Sequence, residues 1–544
     1  MCGITFIRAK KLNTINTAST IGKLHHRGPD DEQYQSYKNQ VHFGFNRLVI
    51  NDNSTEAMQP FKDNGTWVIC NGEIFNWKEI VAKYDLKMNT SCDCEVILQL
   101  FNHLMNTLDN DFVKIALQLS NELDGEFAYV IYQETYEITI AGRDPYGVRP
   151  MFYGTNENDE VYAFCSEIKG IQDICTSIEQ FRPGNIMIHN KNDHNNGVYH
   201  CYSVPLPKHG DISPITGEKS PSEAHIIKLI NSTLKTAVAK RLMSDKEICC
   251  LLSGGLDSSL IAGLLSQHFP PYTLKTFSIG MKGSPDLHYA KIVAEHIKSD
   301  HTSVELTQEQ FLEAIEPVIH AIESYDTTTV RASVGNYLVA KYIKDHTDCK
   351  VVFNGDYSDE VCGGYKYMSL CHDENEFHNE CIRLVENIQF FDSLRSDRCV
   401  SSQGLEARVP FADKDFVHLY KSIPVKMRMS NERIEKYMLR KAFEVDNIIP
   451  PEVLWRKKEA FSDGVSSQTN SWHAVIKKHV EIHLLDNEYD KMTMDEINPV
   501  ILKETAYYKG IFKRYFSFEN IIPYYWLPKY CKNATDPSAR EIMV

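Results

Sequence analysis

Ile248-Cys-Cys-Leu-Leu-Ser-Gly-Gly-Leu-Asp-Ser-Ser-Leu-Ile-Ala-Gly-Leu-Leu265 is the most apolar window of the chain, and its reading decides the fold. It approaches the length of a membrane helix, but Ser253, Gly254, Gly255, Asp257, Ser258 and Ser259 break it. The alternative is a buried strand over Cys249–Leu252, a turn, and a helix from near Ser258 to Gln267. Two glycines let backbone N–H groups turn inward as a nest for an anion, and the helix N-terminus adds its dipole. The turn lacks the lysine and spacing of G-x-x-x-x-G-K-[ST], so it is not a Walker loop. Its three serines exceed what a structural Gly-Gly turn requires, so a phosphate-bearing ligand is expected here.

Downstream, apolar runs alternate with amphipathic ones: Leu274–Ile279, then Asp286–Ser299, then a helix-like stretch ending near His346, then Lys350–Phe353. This rhythm predicts a doubly wound parallel sheet with added helices. Upstream, Ser203–Ser222 reads SVPLPKHGDISPITGEKSPS, with four prolines and two glycines and no apolar period. We read 204–222 as a linker between domains over 1–203 and 223–544. The first domain carries short β-like runs: Gly3–Ile7, Val41–Ile50, Trp67–Cys70, Glu126–Gln133, Tyr136–Gly142, Val161–Ser166 and Asn185–His189. One helix interrupts them, with Ile97, Phe101, Leu104 and Leu108 at helical spacing. A layered α+β sandwich is the expectation.

The length of 544 residues calls for two to four domains, and 42% hydrophobic with 24% charged residues is ordinary globular composition. A net charge of −15 argues against a general nucleic-acid surface, leaving room for a local pocket for a small phosphorylated ligand. Fifteen cysteines are too dilute for a disulfide framework, and no C-x-x-C offers a zinc site. MCGITFIRAK has no secretory pattern, so the expectation is a cytoplasmic chain without a membrane segment.

Cys2 lies behind Met1, and small neighbours favour removal of the methionine. The thiol would then share a residue with an α-amine, about a tenth of which is free base at neutral pH and able to take its proton. A thiol attacking a carboxamide needs oxyanion donors, and an amino-acid substrate needs a cation and anions. Arg47, Asn71-Gly72-Glu73 and Asp93 are suitable, though each taken alone reads equally as a turn or a solvated charge.

In order along the chain stand MCGI, HRGPD (26–30), NRL (46–48), NGE (71–73), DCEVI (93–97), LDGEFA (123–128), GRDPYGVRPMFY (142–153) and SEIKG (166–170). Together they resemble the glutaminase domain of N-terminal-nucleophile amidotransferases. That resemblance implies Cys2 as nucleophile and an oxyanion hole from the Asn71 side chain and the Gly72 N–H. Arg47 would hold the glutamine carboxylate with Leu48, Val49, Ile50 and Asn51, and Glu73 and Asp93 its ammonium group. Cys92 departs from the small hydroxyl or glycine common in relatives, with little effect expected.

SGGLDSS (253–259) resembles the pyrophosphate loop of ATP pyrophosphatases. FSIGMKGSPDLHYAKIVAEHI (277–297), GDYSDEVCGGY (355–365), GLEARVPFAD (404–413) and WRKKEAFSDGV (455–465) resemble the synthetase domain of glutamine-hydrolysing asparagine synthetases. By that likeness Ser253, Gly254, Gly255 and Ser258 cradle ATP, with Leu251, Ile279, Asn354 and Gly355 beside its adenine. Asp257 and Asp359 would hold Mg²⁺, Lys458 would neutralise charge on the phosphate, and FSDGVSS would form a flap. The family's G-E-G-S-D-E is here Gly355-Asp356-Tyr357-Ser358-Asp359-Glu360, which puts the proton role of Asp356 in question.

The implied reaction makes asparagine from aspartate, ATP and glutamine through a β-aspartyl-adenylate, and any self-association is expected to be a homodimer. Two other readings stand beside it: a related adenylating ligase of the β-lactam synthetase kind, and a catalytically silent metabolite sensor.

Overall fold

In the computed structural model, residues 1–9, 20–156, 161–190, 197–200, 211–218, 221–430, 433–458, 464–467, 471–484, 502–531, 534 and 536–537 are described. Two six-stranded antiparallel sheets form the first domain. One runs Ser177–Gln180, Phe152–Thr155, Val161–Cys165, Gly3–Ala9, Val41–Arg47, Asp31–Tyr37 in spatial order. The other runs Gly197–His200, Asn185–Asn190, Ile138–Arg143, Gly125–Gln133, Thr66–Ile74, Phe61–Asp63. The inner faces meet through Phe6, Phe43, Trp67, Ile69 and Val130, with the Phe43 and Trp67 rings stacked at 5.1 Å.

The alternate residues of the second sheet, Val68, Cys70, Tyr129 and Ile131, pack on helices. Among the described residues there are three of these rather than the one expected: Trp77–Tyr84, Glu95–Thr107 and Phe112–Glu122. The extra two have legible causes. Asp111 caps the third by accepting from Lys114 N, and an αL residue, Asp85, ends the first. The outer face of the first sheet is also covered, since Ile7, Ala163 and Cys165 join a core with Ile315, Val318 and Ile319 of the second domain. Gly3–Ala9 is therefore buried at every position, the polar Thr5 and Arg8 included.

The second domain has a parallel sheet ordered Asp300–Leu306, Lys275–Met281, Ile248–Leu251, Val351–Phe353, Glu406–Arg408. Cys249 and Val352 face one core and Cys250 and Phe353 the other, which is the two-sided burial expected of a doubly wound sheet. The helix after the glycine turn runs Leu256–Ser266, starting two residues before the expected Ser258, because Gly255 takes the extended cap position. Within the expected linker, Ser213–Thr216 forms a helical turn with Ile212 buried beside it, while 201–210 lie outside the described residues. No helix among the described residues is long and apolar enough to cross a membrane.

Buried ion pairs seal the seam between the domains. Arg27 pairs with Glu167 at 2.7 Å and Asp397 at 3.0 Å, and Arg149 with Glu126 at 2.9 Å and Asp397 at 3.6 Å. Arg241 joins Glu126 at 2.7 Å to Asp413 at 3.0 Å. Removing one partner of such a set strands a charge. Asp397→Ala should therefore lower stability by about 3–5 kcal/mol, read as a lower urea midpoint. A loss below about 1 kcal/mol would show that water already screens the seam.

Candidate active sites

Cys2 is placed by the seam. Arg27 Nε donates to the Cys2 carbonyl at 2.9 Å, and Leu48 N donates to Cys2 Sγ at 3.4 Å. With Met1 in place, burial pushes the Cys2 thiol up to about 11. The Met1 amine donates to Leu405 O at 3.0 Å and is pushed down to about 5, again by burial.

The remaining glutaminase residues converge on the same end of the sheets. Asn71 and Gly72 sit on Thr66–Ile74, and both polar atoms of the Asn71 amide are buried without a hydrogen-bond partner. Gly72 is required by close approach, since a Cβ there would lie 2.1 Å from the Glu126 carbonyl oxygen. Arg47 donates to the carbonyls of Ser54 at 2.9 Å and Asp52 at 2.7 Å, which fixes its guanidinium and leaves three of its five N–H donors. Asn51 Nδ2 bridges Glu73 at 2.6 Å and Asp93 at 3.3 Å, and Asp93 also accepts from Ile74 N at 2.7 Å. Val49 N is held by Asp30 at 2.9 Å. Burial pushes Asp93 up to about 6, and burial with Asp93 nearby drives Glu73 well above the usual carboxylate range. Two carboxyl groups are thus buried side by side, joined by Asn51. Sequence reading missed Arg408, which reaches Glu73 at 3.5 Å from the edge strand of the other domain.

At the carboxyl ends of the parallel strands, one cavity of about 240 Å³ is lined by Leu251, Ser253, Gly255, Asp257, Ser258 and Ile279. Asn354, Gly355, Asp356, Asp359 and Lys458 complete the expected set there. Gly254 is the one expected ATP residue outside this lining. Its role is shape, because its φ is +73° and a Cβ would meet Ala290 N at 2.5 Å. Ser253 N and Oγ both contact Ser258 Oγ, at 3.1 and 2.9 Å, closing the loop on itself. Gly355 lets the second loop touch the first, since a Cβ would fall 2.5 Å from Ser258 N.

Asp257 and Asp359 are brought together by a residue that the sequence did not single out. Lys436 Nζ lies 2.7 Å from Asp257 and 2.5 Å from Asp359, with Lys458 also on Asp359. Burial alone would raise the Asp359 carboxyl, but these two ammonium groups hold it well below the usual range. Two carboxylates already converging on one cation, with hard oxygens, fit a divalent metal beside a phosphate. Among the described residues no group of three or more His, Cys, Asp or Glu side chains could hold a metal by itself, so the pair would share it with the ligand. Asp356 pairs with Arg395 at 2.8 Å. Tyr357 has φ +74°, is buried, and sends its hydroxyl to Ser393. Of the expected flap, Gly464–Ser467 meets the carboxyl end of the strand Lys275–Met281, with Met281 N donating to Val465 O at 2.7 Å, while 461–463 lie outside the described residues.

A glutamine amidotransferase domain model matches residues 1–203, and an asparagine synthase model matches 229–374 and 369–502. The probable glutamine-hydrolysing asparagine synthetase of Acanthamoeba polyphaga mimivirus is 37% identical over 99% of both chains. The Homo sapiens asparagine synthetase [glutamine-hydrolyzing] is 38% identical over 96% of this chain and 94% of that one. The chain belongs to the glutamine-hydrolysing asparagine synthetases. It is thus a ligase with an amidotransferase domain ahead of its synthetase domain. Likeness to solved structures is weaker. Glutamine phosphoribosylpyrophosphate amidotransferase from B. subtilis gives a TM-score of 0.31 at 18% identity, covering 48% of this chain and 62% of that one. NMN synthetase from Francisella tularensis gives 0.24 at 12%, covering 54% and 94%.

Asp93 makes this synthetase's stability depend on pH. Its folded value near 6 exceeds the unfolded 3.8, so the native state holds the extra proton between them and loses stability as pH rises through that window. Asp93→Asn should gain on the native chain by about 2–3 kcal/mol between pH 4 and 6 and then run parallel, read from urea midpoints. Parallel curves throughout would refute the shift.

Proposed function

We propose that the chain makes asparagine in the cytoplasm from aspartate, ATP and glutamine, with Cys2 liberating ammonia for the second domain. The observation that carries this is the joint lining of one cavity by the SGGLDSS turn, the Asp257–Asp359 pair and Asp356, in a chain that also buries Asn71, Glu73 and Asp93. The fourteen cysteines among the described residues are all free thiols, which supports a reducing compartment.

Removal of Met1 turns the Cys2 nitrogen into an α-amine beside its own thiol, and the amine takes the proton as Sγ attacks the glutamine carboxamide. Asn71 Nδ2 and Gly72 N–H receive the oxyanion, and the thioester is hydrolysed to glutamate after ammonia leaves. The substrate's ammonium group lies against Glu73 and Asp93, adding to the charge that Arg408 already brings to Glu73, while Arg47 takes the carboxylate. A chain that keeps Met1 has a thiol held near 11 and is inactive in this step.

In the second cavity the loop N–H groups and Ser253 and Ser258 position the triphosphate. Asp257 and Asp359 would hold Mg²⁺, which when bound neutralises the leaving pyrophosphate. Lys458 meets the α-phosphate as the aspartate β-carboxylate attacks it, and Lys436 keeps the two aspartates together. Asp356, paired with Arg395, is the acid that would take the proton from the attacking ammonia before AMP departs.

Cys2→Ala should lose glutamine-dependent asparagine formation while keeping the rate with ammonium salt, followed by asparagine and AMP together. Equal loss with both nitrogen sources would overturn the division between two sites, and glutamate release without AMP would leave no synthetase. Asp356→Glu should retain or raise the ammonium-dependent rate. A collapse would show that Tyr357 has rebuilt the site around the shorter acid.

A further inference from the structure

The last described residues of the chain return to the synthetase cavity, where Pro537 joins Trp526 and Pro528 in its lining. The residue before it is anchored. Asp536 accepts from Arg331 Nη1 at 2.9 Å and from Nη2 at 3.1 Å, and His473 Nε2 meets its Oδ2 at 2.9 Å. Glu504 grips the same guanidinium along its other edge, accepting from Nε at 2.7 Å and Nη2 at 2.6 Å. Arg331 stands on the helix Thr327–His346, lines the cavity and is buried, as are Asp536 and Glu504. A planar guanidinium with a bidentate carboxylate on each of two edges fixes both in plane and direction, which a lysine would not do. Asp536 thus pins the end of the chain to the cavity wall from 205 residues away.

What the anchor holds has little to bind a ligand with. Pro528 and Pro537 have no backbone N–H to donate, and the buried Trp526 packs with its ring centre 5.8 Å from that of Tyr365, another lining residue. A surface of two pyrrolidine rings and an indole displaces water instead. We propose that Asp536 is a positioning residue that seats Pro537 beside Trp526 and Pro528 as the water-excluding wall of the synthetase cavity. This rests on the proposed reading that an acyl-adenylate forms there. That anhydride has two fates at its carbonyl carbon. Ammonia adds, loses a proton and breaks the C–O bond to the phosphate, giving the amide and AMP. Water breaks the same bond, gives up its protons and returns the free carboxylate with AMP, so the ATP is spent for nothing. The wall sets the partition between these two steps and leaves the adenylation before them untouched.

The test uses the full chain with Mg²⁺, ATP and aspartate, first without a nitrogen source and then with ammonium. Without ammonium, Asp536→Ala should raise aspartate-dependent AMP release about tenfold over the native chain. With ammonium it should move the AMP-to-asparagine ratio from about one to about three or more, with pyrophosphate release and glutamine hydrolysis within about twofold of native. Asp536→Glu keeps a carboxylate for Arg331 and should bring the ratio back below about 1.5. Pro537→Gly leaves the ion pair in place and should raise the ratio in the same direction, which decides the matter if Asp536→Ala fails to fold. A ratio that stays at about one in the folded variants overturns the wall. So does a fall in pyrophosphate release at unchanged ratio, which would make Asp536 a brace for Arg331 alone. A native chain that releases AMP and pyrophosphate with ammonium but no asparagine would overturn the proposed function, and the arm without ammonium would still decide the wall.

Discussion

Burying arginine is expensive, and the architecture is organised around doing so in company. Arg27, Arg149, Arg241 and Arg408 enter the seam between the domains, and each finds carboxylates from Glu126, Glu167, Asp397, Glu406 or Asp413. A charge taken from water is tolerated only when paired and hydrogen-bonded, so the two domains must approach in one register. Arg27 also holds the Cys2 carbonyl, and Arg408 reaches Glu73 from the edge strand of the parallel sheet. The seam that joins the domains therefore positions both Cys2 and Glu73.

The parts legible in the sequence are those with local causes. The Ser253–Ser259 turn is interpretable because its glycines and hydroxyls serve their own backbone, and Gly254 takes the positive φ that the turn needs. The hairpin of Gly125–Gln133 with Ile138–Arg143 is visible for the same reason. Strands such as Asp31–Tyr37, with polar residues throughout, carry no apolar signal and take their place from pairing with Val41–Arg47. Lys436 illustrates the limit for the site. It is 179 residues from Asp257, has φ +56°, and becomes meaningful only where the chain brings two aspartates to it.

Tyr357 shows a compromise inside the site. The position opens the helix Ser358–Cys362 in a left-handed conformation, which a bulky residue adopts at a cost of roughly 1–2 kcal/mol. Its ring is buried in the core cluster that also contains Leu48, Ile50 and Val148 of the first domain, and its hydroxyl is satisfied by Ser393. Burial of the ring offsets the local strain. The shorter Asp356 next to it is braced by Arg395.

The sequence distances in the seam bear on how the chain is made. Arg27 meets a partner 370 residues later, and Arg149 donates to a carbonyl 258 residues later. When the amidotransferase half leaves the ribosome, the strand Glu406–Arg408 is still about 200 residues from synthesis, roughly 10–40 s at ordinary elongation rates. Through that interval the outer face of the first sheet and its arginines stand open to water and to other nascent chains. A ribosome stalled before residue 397 releases a half in which Arg27 keeps Glu167 and Arg149 keeps Glu126, but neither has Asp397.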